Sequence, residues 1–204
     1  MKLEVWFEFA SPYSYLTVSR VEKVAREAGV QMAWRPFLLG PIFQAKGWAT
    51  SPFLIDTVKG NYMWRDMKRR AKRQGIAFQR PSDFPAHSLG AARMMTAALD
   101  EPWCGQFARD VFHVQFAEGE DISDKTTLLE ILHRLVDDPD HWIGLSGSAA
   151  VKSTLRANTD RATEIGLFGA PSFMVGDELF WGDDRLEDAV DWLKATKITQ
   201  AREC

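Results

Sequence analysis

The N-terminal ten residues alternate between apolar and polar side chains, which is the pattern of a β-strand. One face of this predicted strand carries Leu3, Val5, Phe7 and Phe9, and the opposite, polar face carries Lys2, Glu4 and Glu8. Apolar positions then recur at helical spacing from Val18 to Ala28, Gly29 provides a stop, and alternation returns from Val30 to Pro36. The pattern predicts a β-α-β unit with parallel strands and a right-handed crossover.

The middle of the chain repeats apolar positions at helical spacing and contains no comparable alternating stretch. The repeats are Met63, Met67 and Ala71; Trp103, Phe107, Val111 and Val114; Leu128, Leu129, Ile131, Leu132 and Leu135; and the run 145–165. We expect Ser123 to cap the third of these helices. Together they predict four or five helices packed as one block.

Strand patterns return near the C-terminus and predict a hairpin followed by a helix. Two apolar runs, 172–175 and 178–181, flank the turn dipeptide Gly176-Asp177, and apolar residues from Leu186 to Leu193 then follow helical spacing. Neither chain end can cover a sheet alone, so we expect both ends to form one sheet. This chain order predicts an α/β, thioredoxin-like fold with a large α-helical insertion. Its thioredoxin-like domain would comprise residues 1–38 and 166–204, and the inserted helical domain residues 39–165.

Composition narrows the classes of function. The 204 residues carry 25 Lys and Arg against 28 Asp and Glu, so the net charge of −3 provides no field to gather nucleic acid or an anionic membrane. The basic run between Arg65 and Arg73 is interpreted as a solvated helix face, and the four histidines lack zinc-ligand spacing, so no metal site is predicted. Charges interrupt the N-terminal apolar stretch and no window is long enough to span a membrane. We therefore expect a soluble, cytoplasmic chain.

The turn after the first strand, Ser11-Pro12-Tyr13-Ser14, is the candidate reactive position. The positive end of the helix that follows favours a negative atom there, and redox proteins of this fold place a cysteine thiolate in this environment. A serine hydroxyl is too weak an acid to become that anion, but it can donate a hydrogen bond to a thiolate brought by a ligand. The alternative interpretation is that Ser11 only caps a helix beginning at Pro12.

Neither cysteine of the chain belongs to this turn. Cys104 and Cys204 have no C-x-x-C spacing and no surrounding ligand cluster, so neither a disulfide scaffold nor a structural zinc site is predicted. We expect Cys104 to be a buried, inert thiol and Cys204 to lie at a frayed terminus. A reactive sulfur would therefore have to come from a cofactor.

Two later segments suggest which cofactor. A cis bond between Ala170 and Pro171 would free the backbone of Ala170 to pair with an extended peptide, although Pro171 can also be read as a plain loop proline. Asp184 and Glu187 form a capping-box pattern, and a helix start with two carboxylates also suits the backbone end of an amino acid, with Asp183 or Asp184 taking the ammonium group. A thiolate site, a backbone-pairing edge and an amino-acid clamp together describe γ-Glu-Cys-Gly, which is glutathione.

Four segments resemble motifs of 2-hydroxychromene-2-carboxylate isomerases and kappa-class glutathione transferases, within the DsbA-like thioredoxin superfamily. They are 7–16 (FEFASPYSYL), 59–66 (KGNYMWRD), 168–173 (FGAPSF) and 178–186 (ELFWGDDRL), in the family's order and spread along essentially the whole chain. One segment departs from the family. Residues 48–52 lack the asparagine that family members often carry before a proline, and Thr50 or Ser51 is the candidate substitute.

The resemblance implies a role for each matching residue. Ser11 would hold the glutathione sulfur as a thiolate, and Ala170 would pair with the cysteinyl unit. Asp183 and Asp184 would hold the γ-glutamyl end, and Lys59 would meet an anionic group. The predicted glutathione-binding residues are Ser11, Lys59, Ala170, Pro171, Trp181, Gly182, Asp183 and Asp184. The predicted substrate-binding residues are Pro12, Tyr13, Trp48, Thr50 and Tyr62.

The resemblance also implies a reaction. The expected function is a glutathione-dependent isomerase that interconverts 2-hydroxychromene-2-carboxylate and trans-o-hydroxybenzylidenepyruvate in aromatic catabolism, as a homodimer acting on a small aromatic carboxylate. The first alternative is a kappa-like glutathione transferase acting on other electrophiles. The second is a noncatalytic thioredoxin-like binding or chaperone module without affinity for glutathione.

Overall fold

The computed structural model describes residues 1–203, and the side chains of residues 1–198; Cys204 lies outside the described residues. Both chain ends contribute to one four-stranded sheet, as predicted. Its strands are β1 (Leu3–Phe7), β2 (Met32–Pro36), β3 (Ser172–Val175) and β4 (Glu178–Trp181), in the order β2-β1-β3-β4. β1 is parallel to β2 and antiparallel to β3, and β3 is antiparallel to β4. The fold is thioredoxin-like, and the hairpin turn falls at Gly176-Asp177 as expected.

Three helices belong to the two chain ends that form the sheet: α1 (Pro12–Val18), α2 (Val21–Glu27) and α11 (Leu186–Glu203). The sequence predicted one helix over the region of α1 and α2, and this was wrong. The Ser19 hydroxyl donates to the carbonyl of Tyr15 at 2.7 Å, and the backbone at Arg20 leaves helical geometry with φ −134°. This break turns the Arg20 guanidinium toward Asp183, a contact between distant parts of the chain that helical spacing does not encode.

Residues 39–165 are all described and contain more helices than the four or five predicted. They are α3 (Leu39–Ala45), α4 (Pro52–Ile55), α5 (Thr57–Gln74), α6 (Leu89–Ala97), α7 (Cys104–His113), a π-helical turn (Val114–Glu118), α8 (Lys125–His133), α9 (Pro139–Ser146) and α10 (Ala149–Glu164). The run 145–165 is split because Ser148 caps a new helix by accepting from the Val151 N–H. The cap of α8 is Asp124 rather than the predicted Ser123.

The main hydrophobic core joins the sheet to the helical block. The ring of Phe112 in α7 lies 6.2 Å from that of Phe7 in β1 and 5.0 Å from that of Phe9, measured between centroids. The aromatic residues Phe107, Phe112 and Phe116 are buried, as expected. The division into a thioredoxin-like and an inserted domain remains a prediction, and one continuous core crosses its boundary.

A second cluster of buried apolar residues covers the other face of β1. Trp6 lies in this cluster with Phe37 and Met174, so the central strand is buried on both sides. The predicted polar face is therefore wrong for Glu8, which is 4% exposed. No helix in the described part of the chain is both long and apolar enough to cross a lipid bilayer.

Candidate active site

A cavity of about 870 Å³ lies beside the Ser11 turn and is also lined by residues of α3, α4 and α5. Its volume is in the range of about 300–1,000 Å³ that small-molecule sites occupy. Every residue predicted to contact glutathione or substrate lines this cavity except Pro171. The fold thus brings together residues 11–13, 48–62 and 170–184, whose roles toward a ligand remain predictions.

Ser11 has two roles, because it caps α1 and also lines the cavity. Its side-chain oxygen accepts from the Ser14 N–H at 3.2 Å, which is the N-cap bond of α1. Its hydroxyl donates to the carbonyl oxygen of Ala170 at 2.9 Å. Ser11 lines the cavity and is only 7% exposed, so it is a buried residue rather than a surface one. The cap and the candidate reactive group are therefore the same atom.

The segment around Ala170 lies next to the Ser11 hydroxyl. The Ala170–Pro171 peptide bond is cis, as expected. Gly169 precedes it, and a side chain at this position would collide with the indole of Trp181. The Trp181 ring packs 4.8 Å from that of Phe168, between centroids, so these two rings form an aromatic wall beside Gly169.

The Asp183 carboxylate is buried and already has several partners. One oxygen accepts from the Thr17 hydroxyl at 3.0 Å and from the Arg20 guanidinium at 3.2 Å. The other accepts from Arg70 at 2.7 Å and from the Gln74 amide at 3.3 Å. Two guanidinium groups therefore balance the charge of a residue that is 1% exposed. Any ammonium group of a ligand would have to compete with them for Asp183.

Asp184 differs from its neighbour because its carboxylate is exposed. It lies 3.6 Å from the Arg185 guanidinium and makes no capping bond. The predicted capping box is wrong, since Glu187 pairs with Arg20 and a short 3₁₀ turn at 183–185 precedes α11. The turn begins after Gly182, whose φ of 109° is open only to glycine. Asp184 is thus the freer of the two acids predicted to bind the γ-glutamyl end.

The half of the cavity assigned to substrate is aromatic with a few polar groups. The Tyr13 hydroxyl donates to Asp66 at 3.4 Å, and burial, followed by the charge of Asp66, raises the pKa of Tyr13 to about 12. It is therefore a neutral phenol at physiological pH. Tyr62 and Trp48 are exposed at the rim. The ammonium group of Lys59 lies 5.6 Å from the ring centroid of Phe53 and makes no ion pair within the described residues.

Sequence reasoning missed several polar residues that line the cavity, and the contacts of three of them bear on the site. Arg70 was assigned to a solvated helix face, which is wrong, because it contacts Asp183 and lies 5.7 Å from the ring centroid of Tyr13. A signal existed, since Arg70 is three residues after the buried Met67 and so borders the buried face of α5. The ammonium of Lys46 lies 5.6 Å from the Trp48 centroid and 5.7 Å from that of Phe168, and no local pattern foretells this placement.

Glu8 is the third of these residues. Its carboxylate accepts hydrogen bonds from the Ser88 hydroxyl, the Leu39 N–H and the Ala10 N–H. Burial raises the pKa of Glu8, and these hydrogen bonds oppose the rise. Cys104, by contrast, does not line the cavity; it is a free, buried thiol whose pKa is raised by burial.

The sheet order, the helix that starts at Ser11 and the cis-proline segment facing it define a thioredoxin-like protein. The family model described as a DSBA-like thioredoxin domain matches residues 2–194. The chain therefore belongs to the DSBA-like thioredoxin family.

Individual relatives match over nearly their whole length. The chain is 30% identical to a 2-hydroxychromene-2-carboxylate isomerase of Pseudomonas putida over 193 residues, which cover 91% of each chain. It is 29% identical to the glutathione S-transferase kappa 2 of Caenorhabditis elegans over 205 residues, covering 94% of this chain and 91% of that protein. A solved 2-hydroxychromene-2-carboxylate isomerase superposes with a TM-score of 0.86 at 25% identity, covering 100% of both chains.

Proposed function

We propose that this chain is a glutathione-dependent enzyme that holds the glutathione sulfur as a thiolate at Ser11, and that its reaction is the isomerisation of 2-hydroxychromene-2-carboxylate. The observation that carries the proposal is the Ser11 hydroxyl itself, which lies in the cavity at the start of α1 and 2.9 Å from the Ala170 carbonyl. The turn contains no cysteine, so the reactive sulfur would come from a ligand. The names of the isomerase and kappa-transferase relatives support both the cofactor and the reaction.

The polar groups around the cavity fit a tripeptide thiol. The backbone of Ala170 would pair with the cysteinyl unit, as an added strand pairs with a sheet edge. The exposed carboxylate of Asp184 would take the γ-glutamyl ammonium, and the ammonium of Lys59 would meet a carboxylate of the ligand. Asp183 would then act mainly by holding the turn that presents Asp184, through its bonds to Arg20 and Arg70.

Binding of glutathione would give the Ser11 hydroxyl proton a new hydrogen-bond acceptor. In the free chain the Ser11 hydroxyl donates to the Ala170 carbonyl. If a cysteinyl N–H of the ligand donates to that carbonyl instead, the hydroxyl is released to turn toward the sulfur. The Ser14 N–H would keep its bond to the Ser11 oxygen during this exchange, so the helix cap is preserved. No hydrogen bond is lost, and the sulfur gains a donor.

The expected energies are sufficient for this role. Lowering a thiol pKa from about 8.5 to about 6.5 stabilises the thiolate by about 2.7 kcal/mol. A hydrogen bond to a charged group supplies roughly 1.5–3 kcal/mol, and the positive end of a helix adds about 0.3–1 kcal/mol. The Ser11 hydroxyl and the start of α1 together cover the requirement without a further cation.

When bound, glutathione would supply a nucleophilic thiolate, held at Ser11, for reversible covalent catalysis on the conjugated substrate. The chain's own residues would hold the substrate for this chemistry. The rings of Tyr13, Trp48 and Tyr62 would contact an aromatic ring, with Pro12 and Thr50 completing the wall. Tyr13, as a neutral phenol, would add no charge beside the thiolate.

A kappa-like glutathione transferase is the second candidate, and the similarity to the kappa 2 transferase over 94% of this chain favours it. The two candidates differ in what happens to glutathione. An isomerase regenerates it in every turnover, whereas a transferase consumes it in proportion to product. The same cavity and the same role for Ser11 serve both.

The test is a spectrophotometric assay on 2-hydroxychromene-2-carboxylate with and without glutathione, in which free glutathione is also quantified. We expect activity that requires glutathione, leaves its concentration unchanged, and falls by about tenfold to a hundredfold in Ser11→Ala. Ser123→Ala is the control, since Ser123 is an exposed serine of the helical block that does not line the cavity. If the rate changes neither when glutathione is omitted nor in Ser11→Ala, the proposal is refuted. If glutathione is consumed in proportion to product, the chain is a transferase rather than an isomerase.

The homodimer and the cytoplasmic location remain predictions. The first rests on the family resemblance and the second on the N-terminal sequence. Light scattering coupled to gel filtration tests the homodimer, and fractionation of the source cells tests the location. The noncatalytic module would be indicated by a folded chain that fails to bind glutathione.

A further inference from the structure

Glu8 immediately follows β1 and is buried beside the candidate active site. Its side chain lines the cavity, yet the residue is only 4% exposed. The carboxylate makes no ion pair among the described residues. A buried acid without a countercharge is costly, and an apolar residue of the same size would fill the space without this cost. Such groups are often found where a protein needs them for function.

Three hydrogen bonds join Glu8 to three separate segments. One oxygen accepts from the Ser88 hydroxyl at 2.5 Å and from the Ala10 N–H at 3.3 Å, and the other accepts from the Leu39 N–H at 3.0 Å. Ala10 directly precedes Ser11, whose own N–H donates to the Glu8 carbonyl at 3.0 Å. Both the backbone and the side chain of Glu8 therefore hold the Ser11 turn.

The other two partners belong to the helical block. Leu39 begins α3, and Ser88 immediately precedes α6. α3 also carries Phe43, which lines the cavity, and Lys46 directly follows its last residue and lines the cavity too. The Glu8 carboxylate is thus a junction between the turn that presents Ser11 and two helices, α3 and α6, that also contribute residues to the cavity lining.

We propose that Glu8 is a positioning residue, whose carboxylate fixes the Ser11 turn relative to α3 and α6 and so sets the distance between the glutathione sulfur and the bound substrate. This inference rests on the proposed function, because it concerns the alignment of the two reactants. Glu8 acts through Ser11 and need not touch glutathione. The groups predicted to bind glutathione at residues 170–184 make no hydrogen bond with the Glu8 carboxylate, so we expect them to keep their places when the bonds of Glu8 are broken.

The experiment compares Glu8→Gln with wild type in glutathione binding, kinetics and thermal stability. Glutamine keeps the size, but its amide nitrogen cannot accept, so at least one of the three hydrogen bonds is lost. We expect an unchanged Kd for glutathione by calorimetry, and a kcat lower by about tenfold to a hundredfold, as for a misaligned reactant. Glu4→Gln is the matched control, since Glu4 lies in β1, the strand that Glu8 follows, pairs with Arg35 and does not line the cavity.

Ser88→Ala provides a second variant that keeps the Glu8 carboxyl group and removes one of its hydrogen bonds. We expect it to lower kcat less than Glu8→Gln does, and the double variant to be no slower than Glu8→Gln alone, because both changes break the same junction. A lower Tm with unchanged kcat in Glu8→Gln would mean a purely structural role, and independent, multiplicative effects of the two changes would also overturn the proposal. If wild type neither binds nor uses glutathione, the proposed function fails first and this inference fails with it.

Discussion

Polar side chains in the cavity differ in how their charges are balanced, and this difference separates supporting residues from candidate ligand-binding ones. Asp183 is enclosed by Arg20 and Arg70, while Asp184, the next residue, is exposed with only Arg185 nearby. A carboxylate that already holds two guanidinium groups has little to offer a ligand. The neighbouring exposed carboxylate can exchange water for an ammonium group at small cost.

The substitutions Asp183→Asn and Asp184→Asn are therefore expected to change different properties, the first the stability of the fold and the second the affinity for glutathione. Asp183→Asn should lower the free energy of unfolding by about 3 kcal/mol, the low end for breaking a buried ion pair, since both arginines keep some contact with water. Asp184→Asn should leave stability unchanged and weaken glutathione binding. Denaturant unfolding and calorimetry measure the two quantities. Equal loss of stability in both variants, or unchanged glutathione affinity in Asp184→Asn, would contradict this assignment.

Local sequence patterns foretold part of this residue-level picture. The turn at Ser11 and the segment at Ala170 were identified because serine at a helix start and proline before a strand leave a local signature. Glu8 was placed on the polar face of the first strand, and Arg70 on a solvated helix face, because alternation and charge runs do not reveal which other segments pack against a face. Their burial depends on segments more than 30 residues away, such as Ser88 and Asp183.

At the scale of elements, the turn between β4 and α11 decides how the cavity is completed. Gly182 adopts φ 109° and ψ 150°, a region essentially confined to glycine. Its N–H donates to the Pro171 carbonyl at 3.0 Å, which ties the turn to the segment facing Ser11. The turn therefore aligns Asp183 and Asp184 with Ala170.

Gly182→Ala tests the importance of this turn. We expect the free energy of unfolding to fall by about 1–3 kcal/mol, because alanine is strained at this φ, and glutathione binding to weaken as Asp184 moves. Gly144→Ala is the control, since this glycine lies within α9 with open space around it. There alanine should be neutral or stabilising by up to about 1 kcal/mol. Similar results at both positions would show that the turn carries no special strain.

Helices and strands with a clear apolar periodicity were predicted well. Helix boundaries that depend on a single capping hydrogen bond were not. The hairpin strands were placed at 172–175 and 178–181, as found, because Gly176-Asp177 marks the turn between them. The run 145–165 was predicted as one helix, since its apolar spacing continues across Gly147. Only the Ser148 cap reveals that two helices meet there.

At the scale of the whole molecule, the sheet and the helical block share one core. Phe112 of α7 contacts Phe9 of the sheet side, and its ring is also stacked at 6.2 Å from that of Tyr15 in α1. The inserted helices are therefore expected to depend on the sheet for stability, and the cavity between them is held in a fixed shape by this packing.

Unfolding should consequently be a single cooperative transition. Phe112→Ala should lower the free energy of unfolding by about 3–5 kcal/mol and shift the midpoints seen by far-ultraviolet circular dichroism and by tryptophan fluorescence together. Leu54→Ala, at an exposed residue, should change stability by no more than about 0.5 kcal/mol. Two separate transitions, with only one of them moved by Phe112→Ala, would indicate independently folding parts.

The central claim is that the Ser11 hydroxyl stabilises the thiolate of a bound tripeptide, because the chain provides no reactive sulfur of its own at this turn. The most direct measurement is the pKa of the glutathione thiol in the complex, followed by thiolate absorbance, in wild type and Ser11→Ala. A Cys204→Ser background removes one competing thiol, and the raised pKa of buried Cys104 keeps the other silent. We predict a thiol pKa about 2 units below that of free glutathione in wild type, and a return of at least about 1 unit in Ser11→Ala. A bound thiol with the pKa of free glutathione, or one unaffected by Ser11→Ala, would contradict the claim.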